Sequence, residues 1–199
     1  MKYTIAEFAA VYTACEKGRD WALTHCRDLD DAWTKLKFDW LLWVATRYGV
    51  LSERDLRLFA CRCARRVLGR VDSPDPRSLA AIEVAERFAE GKATRAELDA
   101  AYVAARVAHE DITVGSPSLT ACEVAYAASS TCVVCASSAA HDTAYSSVFV
   151  AASASRPSRA RAWLRSSTAA YNIAWDNAGS VEREVLANDL RQLTPNFER

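Results

Sequence analysis

Apolar residues recur every three or four positions along most of this chain, which is the spacing of one face of an α-helix. The clearest example is the segment 32–48, where one helical face collects a set of large apolar residues: Trp33, Leu36, Trp40, Trp43 and Val44. No segment of useful length alternates between apolar and polar residues as a half-buried strand does. The pattern therefore predicts an all-α fold, a single compact array of about nine or ten helices.

Capping residues and helix breakers divide this pattern into segments. The capping boxes Thr-Ile-Ala-Glu at 4–7 and Thr-Arg-Ala-Glu at 94–97 predict helix starts, because the Thr oxygen and the Glu carboxylate each bond to a free backbone N–H. Asp75, with Pro76 at the first helical position, predicts another start. The predicted helices cover 4–15, 20–26, 32–48, 52 onward, 75–90, 94–108, 118–139, 141–155, 159–176 and 180–193.

Several boundaries rest on single residues. Asp30 or Asp31 is the expected N-cap of the helix 32–48. Gly18, Gly49, Gly91 and Gly179 are expected to end or separate helices, since glycine adopts the left-handed conformation that commonly follows a helix. The tail 195–199 is expected to fray or to lie across the surface.

The middle of the chain is nearly free of charge. Between Ile112 and Ser155 the charged residues are Glu123 and Asp142, and most of the others are Ala, Ser, Val, Thr, Cys and Tyr. Such a segment has no solvated charged face, and small side chains allow helix axes to approach to about 8 Å. We therefore expect a central Ala/Ser/Cys-rich helical core that the rest of the protein covers.

The length suits one domain or at most two small ones, and the composition is that of a soluble globular protein. The chain has 199 residues, 51% hydrophobic and 25% charged, which suits a single domain 1–199 with aromatic-rich helices over 1–50 and an Ala-rich region over 51–199. Seven cysteines are an odd number, and the N-terminus has no apolar signal segment. These features predict a reduced, cytoplasmic protein with free thiols. The most apolar window, near 118–140, is too polar to predict a membrane span.

Residues 52–106 resemble a known group of proteins. The runs that carry the likeness are SERDLRLFACRCARRVL at 52–68, DPRSLAAIEVAERFAEG at 75–91 and TRAELDAA at 94–101. They are similar to the Imm-5-like immunity proteins of toxin systems and to related Ala-rich helical proteins of bacteria and phages. The resemblance implies a non-enzymatic protein-binding module, an immunity or phage counter-defence inhibitor that occludes a toxin or a defence-system component. It supplies no catalytic residue, and we expect no cofactor.

The formal net charge is zero, but the arginines are clustered. Residues 61–70 and 156–165 carry arginines without acids, whereas 71–111 carry nine acids and five bases. The candidate partner-binding residues are seven arginines of the two clusters and two acids beside the Trp-rich helix: Arg62, Arg66, Arg70, Arg156, Arg159, Arg161, Arg165, Asp30 and Asp31. The arginines also suggest an alternative function, nucleic-acid binding. Alternatively, they form solvated faces paired with the acids of 71–111.

Cysteine and histidine suggest a further alternative, a Cys/His metalloprotein. Cys132 and Cys135 form a CxxC motif, but a zinc site needs two more ligands. Cys61 and Cys63 are two residues apart, so on a helix they point in different directions. His141 and Asp142 interrupt the neutral stretch and are expected to form a structural polar pair in the core. No nucleophile stands near any histidine in a recognisable motif, so we expect no enzyme, no catalytic residue and no metal ligand.

Overall fold

A computed structural model describes residues 2–70, 73–111 and 169–198, with the backbone alone over 169–178. These residues contain no strand and form eight helices: α1 Ile5–Val11, α2 Glu16–His25, α3 Leu29–Lys35, α4 Phe38–Ala45, α5 Glu53–Leu68, α6 Pro76–Ala89, α7 Arg95–Glu110 and α8 Ala169–Arg191. The predicted all-α fold is confirmed for this part of the chain. The predicted helices 118–139 and 141–155, and with them the covered neutral core, lie outside the described residues.

The chain divides into two compact units. One, the terminal unit, combines Met1–Ser52 with Ala187–Arg199, and the other, the central unit, spans Glu53–Leu186. The division at Ser52 falls close to residue 50, where the sequence changes from aromatic-rich to Ala-rich. The last thirteen residues join the aromatic-rich unit, which the composition does not indicate.

Aromatic rings form the core of the terminal unit. The ring centroid of Phe197 lies 5.8 Å from that of Phe8 and 6.2 Å from that of Trp33, and Phe8 also meets Trp43 edge-on at 6.3 Å. Phe197 is only 2% exposed. The prediction that the tail 195–199 frays or lies across the surface is therefore wrong for Phe197, which completes this core, whereas Asn196 and Glu198 are exposed.

The first two helices differ from their predicted bounds. α1 ends at Val11, followed by Thr13 in the left-handed region with φ 55°, and Gly18 lies inside α2 rather than ending α1. A Cβ on Gly18 would lie 3.2 Å from the Cys15 sulfur and 3.4 Å from the Trp40 indole nitrogen. Glycine at this position therefore allows α2 to approach Trp40 closely.

The predicted single helix 32–48 is two helices, α3 and α4. Leu36 and Lys37 between them are extended, with ψ 140° and 157°, and Arg191 donates a hydrogen bond to the Leu36 carbonyl at 3.0 Å. Leu36 and Phe38 are both buried, at 5% and 4% exposure. Residues two apart on a helix point about 200° from each other, so the break lets both side chains enter the core.

The N-cap of α3 also differs from the prediction. Asp28, not Asp30 or Asp31, caps the helix, and its carboxylate accepts a hydrogen bond from the backbone N–H of Asp31 at 2.8 Å. Asp30 and Asp31 instead lie in the first turn, where the helix dipole favours negative charge.

In the central unit, α5, α6 and α7 share a core of small and medium-sized side chains: Ala60, Cys61, Ala64, Val67, Leu68, Ile82, Ala85 and Leu98. The predicted caps are confirmed: Asp75 accepts from the backbone N–H of Arg77 with Pro76 in the first turn, and Thr94 forms its capping box with Glu97. Gly91 follows α6 with φ 72°, the left-handed conformation that glycine adopts without strain.

α8 runs without interruption from Ala169 to Arg191, through Gly179. The predicted separation into helices 159–176 and 180–193 is wrong at this residue, because one glycine in a long helix costs only about 1 kcal/mol relative to alanine. Over its described side chains the helix buries Leu186, Ala187 and Leu190. None of the helices described here combines the length and apolar character of a membrane span.

The N-cap of α1 allows a test of the capping-box prediction. Thr4→Ala removes the hydroxyl that accepts from the Glu7 backbone N–H at 3.2 Å, and we expect the free energy of unfolding to fall by about 1 kcal/mol. Thr24→Ala is the matched control, because Thr24 is exposed inside α2 and its hydroxyl bonds only to the Asp20 carbonyl. Urea unfolding followed by circular dichroism should show no loss for the control. Equal losses in the two variants would contradict the capping role of Thr4.

Candidate functional site

The first arginine cluster is largely engaged inside the central unit. Arg66 donates two hydrogen bonds to the carboxylate of Glu182, at 2.7 and 2.9 Å, and Arg70 donates a third at 2.7 Å. The Glu182 side chain is 3% exposed, whereas those of Arg66 and Arg70 are 33% and 29% exposed. Two guanidinium groups thus compensate one nearly buried carboxylate, which joins the end of α5 to α8.

The other described arginines of this cluster face the acids of α6. Arg65 holds the Glu86 carboxylate with two hydrogen bonds of 2.6 Å each. Arg62 is exposed and lines an open groove with acidic side chains, among them Glu83 and Glu90. The pairing with acids of 71–111 that the sequence suggested is therefore present at Arg65, whereas Arg66 and Arg70 bind an acid that sequence reasoning did not consider.

The remaining predicted partner-binding arginines lie outside the described residues. They are the arginines of the second cluster: Arg156, Arg159, Arg161 and Arg165. The polar pair His141 and Asp142 and the CxxC motif of Cys132 and Cys135 lie there as well. Partner binding by the two clusters stays a prediction.

Asp30 and Asp31 have different surroundings. Asp30 forms an exposed ion pair with Lys2 at 2.8 Å. Asp31 accepts hydrogen bonds from the Lys35 ammonium at 2.8 Å and from the Arg27 backbone N–H at 2.9 Å. These contacts, the one with Lys35 foremost, hold the pKa of the Asp31 carboxyl below its usual value. Asp31 thus stabilises α3, and Asp30 is the more accessible of the two.

The Trp-rich segment lines an apolar cavity of about 210 Å³ within the terminal unit. Its wall is formed by residues of α1 to α4, the loop before α2 and the C-terminal tail: Ile5, Phe8, Ala9, Ala14, Cys15, Gly18, Arg19, Ala22, Leu29, Ala32, Trp33, Leu36, Asp39, Trp40, Trp43, Val44 and Phe197. Arg19 and Asp39 are at least partly exposed, and the Arg19 guanidinium bonds to Asp20 at 2.8 Å. The buried part of the wall is therefore dominated by apolar side chains.

Trp33, one of the residues of this wall, has an unsatisfied polar group. The residue is 4% exposed, and its indole N–H is buried without a hydrogen-bond partner. A buried Trp N–H usually finds an acceptor, and leaving one unpaired costs about 1–3 kcal/mol. The Trp-rich helix was expected to belong either to the core or to an interface; at Trp33 the structure shows burial.

A second feature of the terminal unit, which sequence reasoning missed, is the turn 46–50 after α4, here named the Tyr48 turn. Tyr48 is 86% exposed, yet its carbonyl accepts a hydrogen bond from the Tyr12 hydroxyl at 2.9 Å. The Val50 carbonyl accepts from the Asn196 backbone N–H at 2.7 Å. Arg47 lies over the Trp43 ring at 4.9 Å and bonds to the Trp43 carbonyl at 2.9 Å. The turn is thus anchored on both sides of an exposed aromatic residue.

The only sequence signal for this turn was Gly49. It was expected to follow the helix directly, and it has φ 82°, but α4 ends four residues earlier at Ala45. The extra residues between Ala45 and Gly49 place Tyr48 outside the helix. The turn bonds to Tyr12 and Asn196, which are remote in sequence.

The described cysteines of α5 belong to the core. Cys61 and Cys63 are both fully buried, and burial raises the pKa of the Cys61 thiol to about 12. Within the residues described here, no three or more His, Cys, Asp or Glu side chains gather in a group that could hold a metal ion. Cys61 and Cys63 therefore act as small apolar residues in the packing of α5.

Thiol labelling tests this assignment. In the native protein at pH 8 we expect iodoacetamide to modify exposed Cys15 and to spare Cys61, because a thiol with a pKa of about 12 is ionised in roughly one molecule in ten thousand. Peptide mass spectrometry after labelling identifies each site, and labelling in 8 M urea should modify both. Comparable native labelling of Cys61 and Cys15 would refute the burial of Cys61.

The cluster of Glu182, Arg66 and Arg70 gives a second test. Glu182→Gln leaves two partly buried guanidinium groups without their carboxylate, and we expect the free energy of unfolding to fall by about 3 kcal/mol. Arg62→Ala removes an exposed cation of the same helix and should change it by less than about 0.5 kcal/mol. Denaturant unfolding of the two variants measures the difference. An unchanged midpoint for Glu182→Gln would show that the cluster adds nothing to stability.

Comparison with known proteins adds no assignment to these features. No family model, no curated protein and no solved structure matches the chain. The resemblance of residues 52–106 to Imm-5-like immunity proteins therefore stays a prediction. The features from which a function can be inferred are the cavity, the Tyr48 turn and the charged residues.

Proposed function

We propose that this protein is a non-enzymatic protein-binding module that occludes a partner protein, with the Tyr48 turn at the centre of its contact surface. The observation that carries the proposal is Tyr48, an aromatic residue 86% exposed in a turn that the Tyr12 hydroxyl and the Asn196 backbone anchor. Tyrosine and arginine are enriched among the residues that dominate binding energy at protein interfaces. Arg47 and Tyr48 are adjacent here.

The anchoring of the turn favours binding. Ordering a loop or a side chain upon association lowers affinity, by about 0.5–1.5 kcal/mol for each long side chain. The Tyr48 turn is already tied down by two hydrogen bonds, and Arg47 is held over Trp43. A partner would therefore meet a surface that needs little rearrangement.

The proposed partner is a toxin or a component of a defence system. The likeness of residues 52–106 to immunity proteins supports this class. An inhibitor of this kind acts by covering a surface of its target and needs no catalytic group. We propose a cytoplasmic location, with which the free thiols of Cys15 and Cys26 are compatible.

The described residues offer no observation that favours nucleic-acid binding instead. Three arginines of the first cluster already lie against carboxylates: Arg65, Arg66 and Arg70. A phosphate would have to compete with these carboxylates. A salt-dependent shift of labelled DNA or RNA that Arg159→Ala with Arg161→Ala abolishes would be evidence for the alternative.

Affinity capture with variants tests the proposed contact. We expect a protein from the native host, or from phage-infected cells, to be enriched on the wild-type chain and to lose at least tenfold in enrichment with Tyr48→Ala, since a central tyrosine contributes about 2 kcal/mol or more. Val181→Ala is the matched control, because Val181 is 66% exposed in the central unit. Quantitative mass spectrometry compares the three baits.

Two outcomes would contradict this proposal. One is that the wild-type chain enriches no protein. The other is that Tyr48→Ala and Val181→Ala enrich the same partner equally well. Circular dichroism of Tyr48→Ala provides the folding control, and since the side chain is exposed we expect its spectrum to be unchanged.

A further inference from the structure

We propose that the cavity of the terminal unit is a binding site for a small neutral organic molecule that carries one hydrogen-bond acceptor, and that Trp33 donates to this acceptor. The ligand class is an aryl or alkyl carbonyl compound. This inference goes beyond the proposed protein contact, because it concerns the interior of the unit and not the exposed Tyr48.

The size of the cavity sets the size of the ligand. An engineered apolar cavity of about 150 Å³ binds benzene, which has six non-hydrogen atoms. The cavity here measures about 210 Å³, which by the same ratio accommodates about eight or nine such atoms. A monocyclic aromatic compound with a short substituent has this size.

The side chains of the cavity wall favour an uncharged, largely apolar ligand. Aromatic rings of Phe8, Trp33 and Phe197 and the small side chains of Ala9 and Ala22 make most of the enclosed surface apolar. A charged group would lose its hydration there without a matching charge. The lining residues Arg19 and Asp39 are at least partly exposed, so they mark the accessible side of the cavity and not its interior.

The indole N–H of Trp33 is the donor proposed to bind the acceptor of the ligand. It is buried without a partner, and Trp33 belongs to the cavity wall. A bound water molecule needs about two to four polar partners, and the enclosed side chains offer mainly apolar surface. A carbonyl oxygen on an otherwise apolar molecule needs only one donor, so it satisfies the N–H and leaves the rest of the ligand in apolar contact.

Two isosteric probes separate the hydrogen bond from the apolar contact. Acetophenone and α-methylstyrene have the same connectivity and the same number of non-hydrogen atoms, and the second replaces the carbonyl oxygen with a methylene group. We expect wild-type protein to bind acetophenone about tenfold more tightly, which is the worth of one hydrogen bond. Titration of the ¹H–¹⁵N spectrum of the indole groups measures both affinities.

Trp33→Phe identifies the group responsible. The variant loses one indole resonance, which identifies the resonance of Trp33. In the wild type, acetophenone should shift this resonance downfield until the site is saturated. α-Methylstyrene should not cause this downfield shift. In the variant acetophenone should lose its preference and bind more weakly than α-methylstyrene, because its carbonyl oxygen is then buried without a donor. Ala22→Leu fills the cavity, since Ala22 lies in its wall and is 7% exposed, and it should abolish binding of both while the circular dichroism spectrum stays native.

Several results would overturn the site. They are the absence of saturable acetophenone binding at millimolar concentration, equal affinity of the wild type for the two probes, and a Trp33 resonance that acetophenone does not move.

Benzoate tests the neutrality of the ligand, because it has the size of acetophenone and carries a charge. Tighter binding of benzoate would refute a neutral ligand. Tyr48→Ala should leave all of these affinities unchanged, which keeps this test separate from that of the partner contact.

Discussion

The burial of Phe197 is the contact on which the terminal unit depends. Its ring closes the aromatic core between Phe8 and Trp33, and its carbonyl accepts a hydrogen bond from the Tyr3 backbone N–H at 3.0 Å. The neighbouring Asn196 bonds to Val50. Residues at opposite ends of the chain are thereby held in one unit, and both functional candidates follow from it, since Phe197 lines the cavity and Asn196 anchors the Tyr48 turn.

In the central unit, charged side chains form ion pairs within the fold. Glu182 is nearly buried, and Arg66 and Arg70 supply the positive charge that makes this burial tolerable. Arg57, itself 1% exposed, bonds to Glu53 at 2.8 Å and lies over the Phe88 ring at 5.3 Å. An arginine-rich helix thus contributes much of its charge to internal pairs. For this reason the exposed aromatic turn, and not the first arginine cluster, carries the proposed contact.

Local rules predicted the helix boundaries where the determining atoms lie within a few residues. The caps at Asp75 and Thr94 and the left-handed Gly91 are of this kind, because each bonds or turns within its own segment. Two of the wrong predictions involve groups that are distant in sequence. α3 and α4 separate at Leu36, whose carbonyl Arg191 binds from the far end of the chain. Gly18 lies within α2, where Trp40 and Cys15 leave little room for a Cβ.

The sequence by itself determined that the described chain is helical, which residues begin several helices, and that the first fifty residues are rich in aromatic side chains. Periodicity and capping depend on residues that are close in sequence, so they can be predicted from the sequence alone. Only the tertiary structure decided that Phe197 of the tail is buried in the core and that Glu182 binds two arginines. The same holds for the unpaired indole N–H of Trp33, a residue of the cavity wall, and for the exposure of Tyr48. Each of these depends on groups remote in sequence, whose approach is set by how side chains fill a shared interior.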